Sequence, residues 1–358
     1  MNDLLDVLRK AVDLGASDIF IVAGQPLCCK VEGDIVSIDQ VRVMPDLAKD
    51  LISQAYNLAD RPMDRFDETG DDDLSVSVSG LARFRINTYK QRGSYSAVIR
   101  IIAFDIPDFS RMRIPQEVLR IADETKGIVL VTGPAGSGKS TTLACIIDQI
   151  NKTRNCHIIT LEDPIEYLYK NDKSIISQRE VELDTVDYVT ALRASLRQAP
   201  DVILLGEMRD HDTISTALTA AETGHLMLST LHTLGSANTV DRIIDVFPPA
   251  QQAQVRIQLS MLLRTVISQQ LVPNTNSGVS PVFEIMQVNN AIRNMIRESK
   301  THQIDTVITS SASEGMISMD NSLLELHKKG EITAEAAINH ALGQEAMIKR
   351  VKAMGSIK

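Results

Sequence analysis

The spacing of apolar and polar residues predicts a small α+β domain at the start of the chain. Apolar residues recur at helical spacing between residues 4 and 14, and Gly15 is suited to end that helix. A second helical pattern spans residues 46–57, whereas the charged residues 71–73 are expected to form a loop. Apolar stretches with the spacing of strands occur at 17–22, 27–31, 35–38, 74–78, 82–90 and 95–102. Helices and strands grouped in this way are typical of an α+β domain.

Short apolar strands alternate with helical patterns in the rest of the chain. They have the length and β-branched content of buried parallel strands, and they occur at 128–131, 158–161, 202–205 and 226–231. This alternation predicts a doubly wound, mainly parallel α/β sheet with ligands outside the carboxyl ends of its strands. Between the two patterns, residues 104–115 carry two prolines and no clear periodicity. We therefore expect domains at 1–103 and 116–358, joined by a linker at 104–115.

A glycine-rich loop directly follows the strand at 128–131. Residues 133–140, Gly-Pro-Ala-Gly-Ser-Gly-Lys-Ser, fit GxxxxGK[ST] at every fixed position, and a helical pattern follows. Such a loop turns backbone N–H groups toward a phosphate, and the positive end of the helix adds attraction. The alternative, an ordinary glycine-rich turn, is disfavoured because motif and flanks agree. A nucleoside triphosphate, ATP, is expected to contact Gly133, Pro134, Ala135, Gly136, Ser137, Gly138, Lys139, Ser140 and Thr141.

Two side chains of this loop have specific expected roles. Lys139 should reach the β- and γ-phosphates. The hydroxyl of Ser140 should ligate Mg²⁺, which makes ATP and Mg²⁺ the expected ligands of the site.

Acidic residues follow two of the other strands. Glu162 would lie near Mg²⁺ or its water ligands, unless the segment Glu-Asp-Pro is only a surface turn. After the strand at 202–205, Gly206 takes the position where a Walker B aspartate commonly holds Mg²⁺, and Glu207 follows. A carboxylate at a strand end beside the glycine-rich loop at 133–140, the phosphate loop, can polarise the attacking water, so Glu207 is the candidate catalytic base.

Two histidines flank the strand at 226–231. His225 and His232 are an odd number of residues apart, so one is expected before the strand and the other just past it. His232 could sense the γ-phosphate or hold Glu207 in place; the alternative is an ordinary satisfied polar side chain.

Arginines are frequent in the predicted hairpin before the linker, at Arg83, Arg85, Arg92 and Arg100. Arginines on a hairpin are usually solvated or paired with nearby carboxylates. The alternative is that some of them reach the γ-phosphate, as arginine fingers do.

Composition narrows the class of protein. The net charge of −9 argues against a general nucleic-acid or acidic-membrane coat, and 4% aromatic residues with no Trp leave few platforms for stacking bases. The four cysteines form no CxxC pair, which argues against a zinc site and favours reduced thiols. No uncharged apolar stretch approaches membrane-spanning length, so a cytoplasmic protein that meets a membrane only through partners is expected.

The chain resembles the type IV pilus retraction ATPases, the PilT family of the secretion ATPase superfamily. GPAGSGKSTT is similar to that family's Walker A segment, LEDPIEY to its acidic box, LRQAPDVILLGEMRD to its Walker B segment and TAAETGHLMLSTLHT to its histidine box. The resemblance covers nearly the full length. It implies a PAS-like N-terminal domain, a RecA-like P-loop ATPase domain and a homohexamer at the cytoplasmic face of the inner membrane. The implied partners are a pilus platform protein and the pilin filament machinery, without nucleic acid.

The resemblance also implies roles for individual residues. Lys139 and Ser140 take the Walker A roles, Glu162 lies in the acidic box, Glu207 is the catalytic glutamate, and His225 and His232 belong to the histidine box. Arg85 and Arg100 match hairpin arginines that approach the phosphates. Pilus extension and type II secretion ATPases usually carry a longer N-terminal region and four zinc-binding cysteines. Their absence here favours retraction.

The sequence is also compatible with other functions. The alternatives are an accessory retraction paralogue, a pilus extension or type II/IV secretion ATPase, a nucleic-acid motor, and a nucleotide-gated scaffold without turnover. For the retraction motor, we expect ATP between the two domains and beside a neighbouring subunit, with hydrolysis changing the domain angle across residues 104–115.

A segment near the C-terminus, AIRNMIRE at residues 291–298, is similar to an element associated with retraction ATPases. Ile292, Met295 and Ile296 form an apolar stripe at helical spacing, which an ordinary helix packed on the core explains. The charges of Arg293, Arg297 and Glu298 lie off that stripe. They could couple the nucleotide state to a partner or to a neighbouring subunit.

Overall fold

The computed structural model describes residues 3–31, 33–102, 106–109, 112–276 and 278–355. The chain divides into two compact units, residues 1–105 with 166–168, and residues 106–165 with 169–358. Part of the expected linker, at residues 104, 105, 110 and 111, lies outside the described residues. None of the helices in the described ranges combines the length and the apolar composition that crossing a bilayer requires.

The described part of the first unit is an antiparallel sheet with helices. Its elements are α1 (Leu4–Asp13), β1 (Asp18–Val22), β2 (Pro26–Val31), β3 (Asp34–Arg42), α2 (Pro45–Leu58), α3 (Asp64–Thr69), β4 (Asp71–Val78), β5 (Ala82–Gln91) and β6 (Ser94–Ile102). The strand order is β3-β2-β1-β6-β5-β4. The apolar face of α1 is buried at Leu4, Val7, Leu8 and Ala11, the spacing that predicted this helix.

The expectation that residues 71–73 form a loop is wrong, because they begin β4. Asp72 faces the core, with 3% of its surface exposed. Its carboxylate accepts a hydrogen bond from Tyr56 Oη at 3.1 Å and lies 3.6 Å from both Arg61 and Arg65. These partners offset the cost of burying a charge. None of them is adjacent to Asp72 in sequence, so local pattern gave no sign of them.

The second unit contains a seven-stranded sheet in its described residues. The strands are β7 (Gly127–Thr132), β8 (His157–Glu162), β9 (Ile175–Glu180), β10 (Val202–Leu205), β11 (Leu226–Leu231), β12 (Leu263–Pro273) and β13 (Val279–Gln287). Their order is β13-β12-β7-β11-β10-β8-β9. Every neighbouring pair is parallel except β12 with β13. The prediction of a mainly parallel α/β sheet preceded by a small α+β unit is confirmed.

Helices cover this sheet and extend to the C-terminal end of the described residues. They are α4 (Gln116–Leu119), α5 (Lys139–Thr153), α6 (Tyr188–Ser195), α7 (His211–Glu222), α8 (Ser236–Asp245), α9 (Pro249–Leu262), α10 (Asn290–Arg297), α11 (Ile304–Ser310), α12 (Met319–Lys328), α13 (Ala334–Asn339) and α14 (Gln344–Ala353). Every residue of β7, β10 and β11 is buried. The strands that lead into the predicted site residues are therefore fixed by packing on both faces.

Three strands were not predicted, namely β9, β12 and β13. β12 contains Ser268, Gln269 and Gln270 in its centre, and all three side chains are buried. Polar residues interrupt the apolar pattern by which a buried strand is identified. Here their polar atoms have partners in distant segments, which makes their burial tolerable.

Candidate active site

Four strands bring the predicted site residues to one edge of the second sheet. β7 pairs with β11 so that Thr132 lies opposite Leu231. Leu205 of β10 lies opposite both Ser229 of β11 and Leu161 of β8. The residues at the ends of these strands therefore lie along the same carboxyl edge of the sheet. They are Gly133 after β7, His232 after β11, Gly206 and Glu207 after β10, and Glu162 as the last residue of β8.

The loop at 133–138 is packed so closely that it requires glycine. Gly133 has φ 145°, and a Cβ on it would lie 2.0 Å from the carbonyl oxygen of Gln269. Gly138 has φ 87° and immediately precedes α5. Since L side chains rarely adopt positive φ and the space at Gly133 is filled, the loop shape depends on these two glycines.

The start of α5 suits an anion. Lys139 and Ser140 lie in its first turn, and that turn carries no acidic residue. The N-terminal end of a helix presents unpaired N–H groups and a positive dipole, both of which favour phosphate. Lys139 is largely buried, and its Nζ donates to the carbonyl oxygens of Gly133 and Pro134, each at 2.9 Å. The ammonium group is thus held over the loop that the motif predicts will bind ATP.

The carboxylate of Glu207 lies between the side chains of Arg209 and His232. Its carboxylate is 12% exposed, with Oε1 at 2.5 Å from an Nη of Arg209 and Oε2 at 3.2 Å from Nε2 of His232. Because a carboxylate oxygen accepts, Nε2 of His232 carries the hydrogen in this contact. The hydrogen bond to Glu207 raises the pKa of the Arg209 guanidinium above its ordinary value. The contact with His232 is among those expected from the sequence, whereas the ion pair with Arg209 is not, although Arg209 follows Glu207 by two residues.

The surroundings of Gly206 leave little room for a side chain. A Cβ there would lie 2.7 Å from Tyr188 Oη and 3.3 Å from the carbonyl oxygen of Leu161. The backbone of Gly206 donates to that same carbonyl at 2.8 Å and accepts from Thr230 Oγ1 at 2.7 Å. The Tyr188 hydroxyl therefore takes up part of the space that the side chain of a Walker B aspartate would need.

Tyr188 is the other site residue that the sequence analysis missed. Burial raises the pKa of its hydroxyl, and the carboxylates of Asp163, Glu207 and Glu162 raise it further. The hydroxyl thus stays protonated and can donate a hydrogen bond in this acidic surrounding.

Glu162 is buried at the end of β8, with 9% of its surface exposed. Its Oε1 accepts from Thr160 Oγ1 at 2.6 Å and from Gln178 Nε2 at 3.3 Å. Among the described residues, no group of three or more His, Cys, Asp or Glu side chains could hold a metal by itself. Mg²⁺ usually keeps several waters and binds through few protein ligands together with substrate phosphates. The Ser140 hydroxyl beside the phosphate loop fits that kind of site.

His225 lies away from this edge. The two histidines flank β11 as predicted, but His225 precedes the strand, and its Nδ1 lies 3.0 Å from the carbonyl oxygen of Ala220 and from Thr223 Oγ1. The six residues of β11 lie between it and His232, so the two are about 23 Å apart along the strand. The fold therefore does not bring His225 to the phosphate loop of its own chain.

Arg85 and Arg100 lie opposite each other on β5 and β6 of the first unit. Nε of Arg100 lies 3.1 Å from Asp18, and Nε of Arg85 lies 3.9 Å from Asp73. Within the first unit, both side chains are thus engaged with carboxylates, and each is at least 40% exposed.

Comparisons with known proteins find relatives that match nearly the whole length of the chain. A family model described as type II/IV secretion system protein matches residues 1–350. The type IV pilus retractation ATPase PilT of Pseudomonas aeruginosa is 43% identical over 335 residues, which cover 94% of this chain and 97% of that protein. The twitching motility protein of Neisseria gonorrhoeae is 41% identical over 346 residues, covering 96% and 92%.

A solved structure is also similar. The crystal structure of the pilus retraction motor PilT with bound ADP superposes with a TM-score of 0.88 at 44% identity, covering 96% of this chain and 98% of that one. Since both sequence and fold match over almost all of both proteins, the chain belongs to the type II/IV secretion system protein family and, within it, to the family of the pilus retraction ATPase PilT.

Proposed function

We propose that this chain is an ATP-hydrolysing motor that powers retraction of a type IV pilus. The observation that carries the proposal is Glu207, held by Arg209 and His232 at the carboxyl edge where the phosphate loop begins. The relatives whose names refer to pilus retraction and twitching motility support the coupling of ATP hydrolysis to filament retraction.

In the proposed reaction, the protein mainly positions groups and neutralises charge. On nucleotide binding, the Lys139 ammonium group would donate its hydrogen bonds to phosphate oxygens and no longer to the loop carbonyls. Its positive charge would then offset part of the negative charge of the triphosphate. Ser140 would hold Mg²⁺, which supplies charge neutralisation when bound, and Glu162 would orient the metal's water. Glu207 would accept a hydrogen bond from the attacking water, with its carboxylate kept in place by His232.

Several further assignments are part of the proposal. Residues 133–141 bind the phosphates, and domains 1–103 and 116–358 are joined by a linker at 104–115. A homohexamer that works with a pilus platform protein and the pilin filament at the inner membrane is the proposed assembly. Arg85 and Arg100 would have to leave Asp73 and Asp18 to act on a phosphate, and a nucleotide role of His225 remains a prediction.

The experiment is deletion of the gene, followed by complementation with the wild-type gene or with Glu207→Gln. Deletion should leave cells with excess surface pili and without twitching motility, which wild type restores and Glu207→Gln does not. The amide cannot polarise water as the carboxylate does, so we expect ATP turnover of the purified variant to fall by about 100-fold or more.

Glu335→Gln on α13 is the matched control, because Glu335 is exposed and the same atoms change. It should behave as wild type in both assays. Cells without pili after the deletion would indicate an extension motor, and unchanged turnover of Glu207→Gln would refute its assignment as the base.

A further inference from the structure

Gln269 of β12 holds the phosphate loop from a distant part of the sequence. Its side chain is 2% exposed. Its Nε2 donates to the carbonyl oxygen of Ser137 at 2.6 Å, and its Oε1 accepts from Thr142 Oγ1 at 2.7 Å. Both ends of the amide are thus used, one on the loop and the other on α5.

The backbone of the same residue contacts the other end of the loop. The carbonyl oxygen of Gln269 would lie only 2.0 Å from a Cβ on Gly133, which leaves no room for that atom. The side-chain Nε2 lies 3.2 Å from the corresponding position on Gly138. Residue 269 therefore contacts the loop where it leaves β7 and again where it enters α5.

We propose that Gln269 is a positioning residue for the phosphate loop, an inference that rests on the proposed nucleotide-binding function. The hydrogen bond from Nε2 fixes the direction of the Ser137 carbonyl. In a planar trans peptide, the N–H of the next residue points the opposite way, so the N–H of Gly138 is directed away from Gln269. In this arrangement the loop presents that N–H to a phosphate before the nucleotide arrives, and binding loses less free energy to ordering of the loop.

The neighbouring Gln270 provides a matched control. It is also buried, at 5% exposure, and its amide also makes two contacts: Nε2 donates to the carbonyl oxygen of His340 at 2.9 Å, and Oε1 lies 3.0 Å from His340 Nδ1. Successive residues of a strand point to opposite faces, so Gln270 is bonded to the end of α13 and not to the phosphate loop. A purely structural role would make the two glutamines equivalent.

The test measures binding of Mg²⁺-ADP by isothermal titration calorimetry to the full chain, with thermal unfolding measured beside it. Gln269→Leu should weaken ADP binding by about tenfold or more, since it removes a buried hydrogen bond to the loop and leaves the Ser137 carbonyl unpaired. Gln270→Leu should leave ADP affinity within about twofold of wild type, although both variants lose thermal stability. In steady-state turnover, Gln269→Leu should raise KM for ATP more than it lowers kcat, because Glu207 is untouched.

Thr142→Val tests the second contact. Alone it should weaken ADP binding, and added to Gln269→Leu it should cause little further loss, since both changes remove the same hydrogen bond. If Gln269→Leu does not fold, Gln269→Glu keeps the size and the acceptor for Thr142 but lacks the donor to Ser137, and it should weaken ADP binding in a folded protein.

Two results would overturn the inference while wild type binds ADP: equal affinity of wild type and the Gln269 variants, or an equal loss in Gln269→Leu and Gln270→Leu. Failure of wild type itself to bind ADP would instead refute the proposed function on which the inference rests.

Discussion

At the scale of single residues, the site is defined by which atoms occupy the space around the strand ends. Gly206 stands where a Walker B aspartate is common, and the Tyr188 hydroxyl fills the space that its side chain would need. The acidic residue at this strand end is consequently the next one, Glu207, whose carboxylate lies between Arg209 and His232. The absence of a side chain at Gly206 thus leaves room for the Tyr188 hydroxyl.

This pairing predicts the behaviour of Gly206→Ala. The new methyl group would lie 2.7 Å from Tyr188 Oη, so either the turn or the tyrosine ring must shift. ATP turnover should fall by about tenfold or more, since a small displacement of positioned groups has large effects on rate. Tyr188→Phe removes that oxygen, and the double variant Gly206→Ala/Tyr188→Phe should regain part of the lost turnover in a steady-state assay.

Tyr188→Phe alone is the necessary control, because the tyrosine hydroxyl lies among carboxylates and its loss has an effect of its own. A double variant with less turnover than Gly206→Ala would show that the clash is not the cause.

At the scale of single elements, α10 buries apolar side chains in the core, whereas the charged side chains at its C-terminal end are exposed. Asn289 caps the helix by accepting from Ile292 N at 3.0 Å. Ile292 and Ile296 are fully buried in the core of the second unit, while Arg297 and Glu298 are exposed. The apolar stripe therefore has the structural role that the sequence analysis gave it, and the exposed charges contribute little to folding.

We expect Ile296→Ala to lower the free energy of unfolding by about 2–5 kcal/mol, because it leaves a cavity in a packed core. Arg297→Ala should change it by less than about 0.5 kcal/mol, since its guanidinium is exposed and donates to the Asn294 side chain at the surface. Urea unfolding followed by circular dichroism measures both. A large destabilisation by Arg297→Ala would assign the charge to folding and remove the reason to seek a partner for it.

At the scale of the whole molecule, the described residues contain separate apolar cores for the two compact units. One core lies among residues 4–99, and the others lie among residues 114–351. The phosphate loop, Glu207, Glu162 and Gln269 all belong to the second unit. A ligand that binds this site stabilises the unit that forms it.

We therefore expect calorimetric unfolding to show two transitions, of which Mg²⁺-ADP shifts only that of the second unit. At a ligand concentration 100 times Kd, the stabilisation should be about 2.7 kcal/mol. Lys139→Ala should abolish the shift, because its ammonium group is proposed to hold the phosphates. Assignment of each transition to its unit can use hydrogen exchange of β5 and β7. An ADP shift of both transitions by the same amount would show that the units unfold together.

The local pattern of apolar residues in the sequence was sufficient to predict much of the fold. The strands at 128–131, 158–161, 202–205 and 226–231 were predicted within two residues of their observed ends because buried parallel strands are continuous apolar runs. Strands, helices and the loop at 133–140 then placed Glu162, Glu207 and His232 at one edge of a sheet. The physical reason is that periodicity, β-branching and the demand for glycine act between near neighbours in the chain.

Tertiary structure decided the features that depend on distant partners. Asp72 is buried in a strand because Tyr56 and two arginines satisfy it, and β12 is a strand although its centre is polar because Gln269 bonds to Ser137 across 132 positions. The space beside Gly206, which follows β10, is filled by Tyr188 of α6. The sequence alone determined where a phosphate loop and an acidic residue come together, since those signals are local; the contacts that hold them in place exist only after long-range packing has formed.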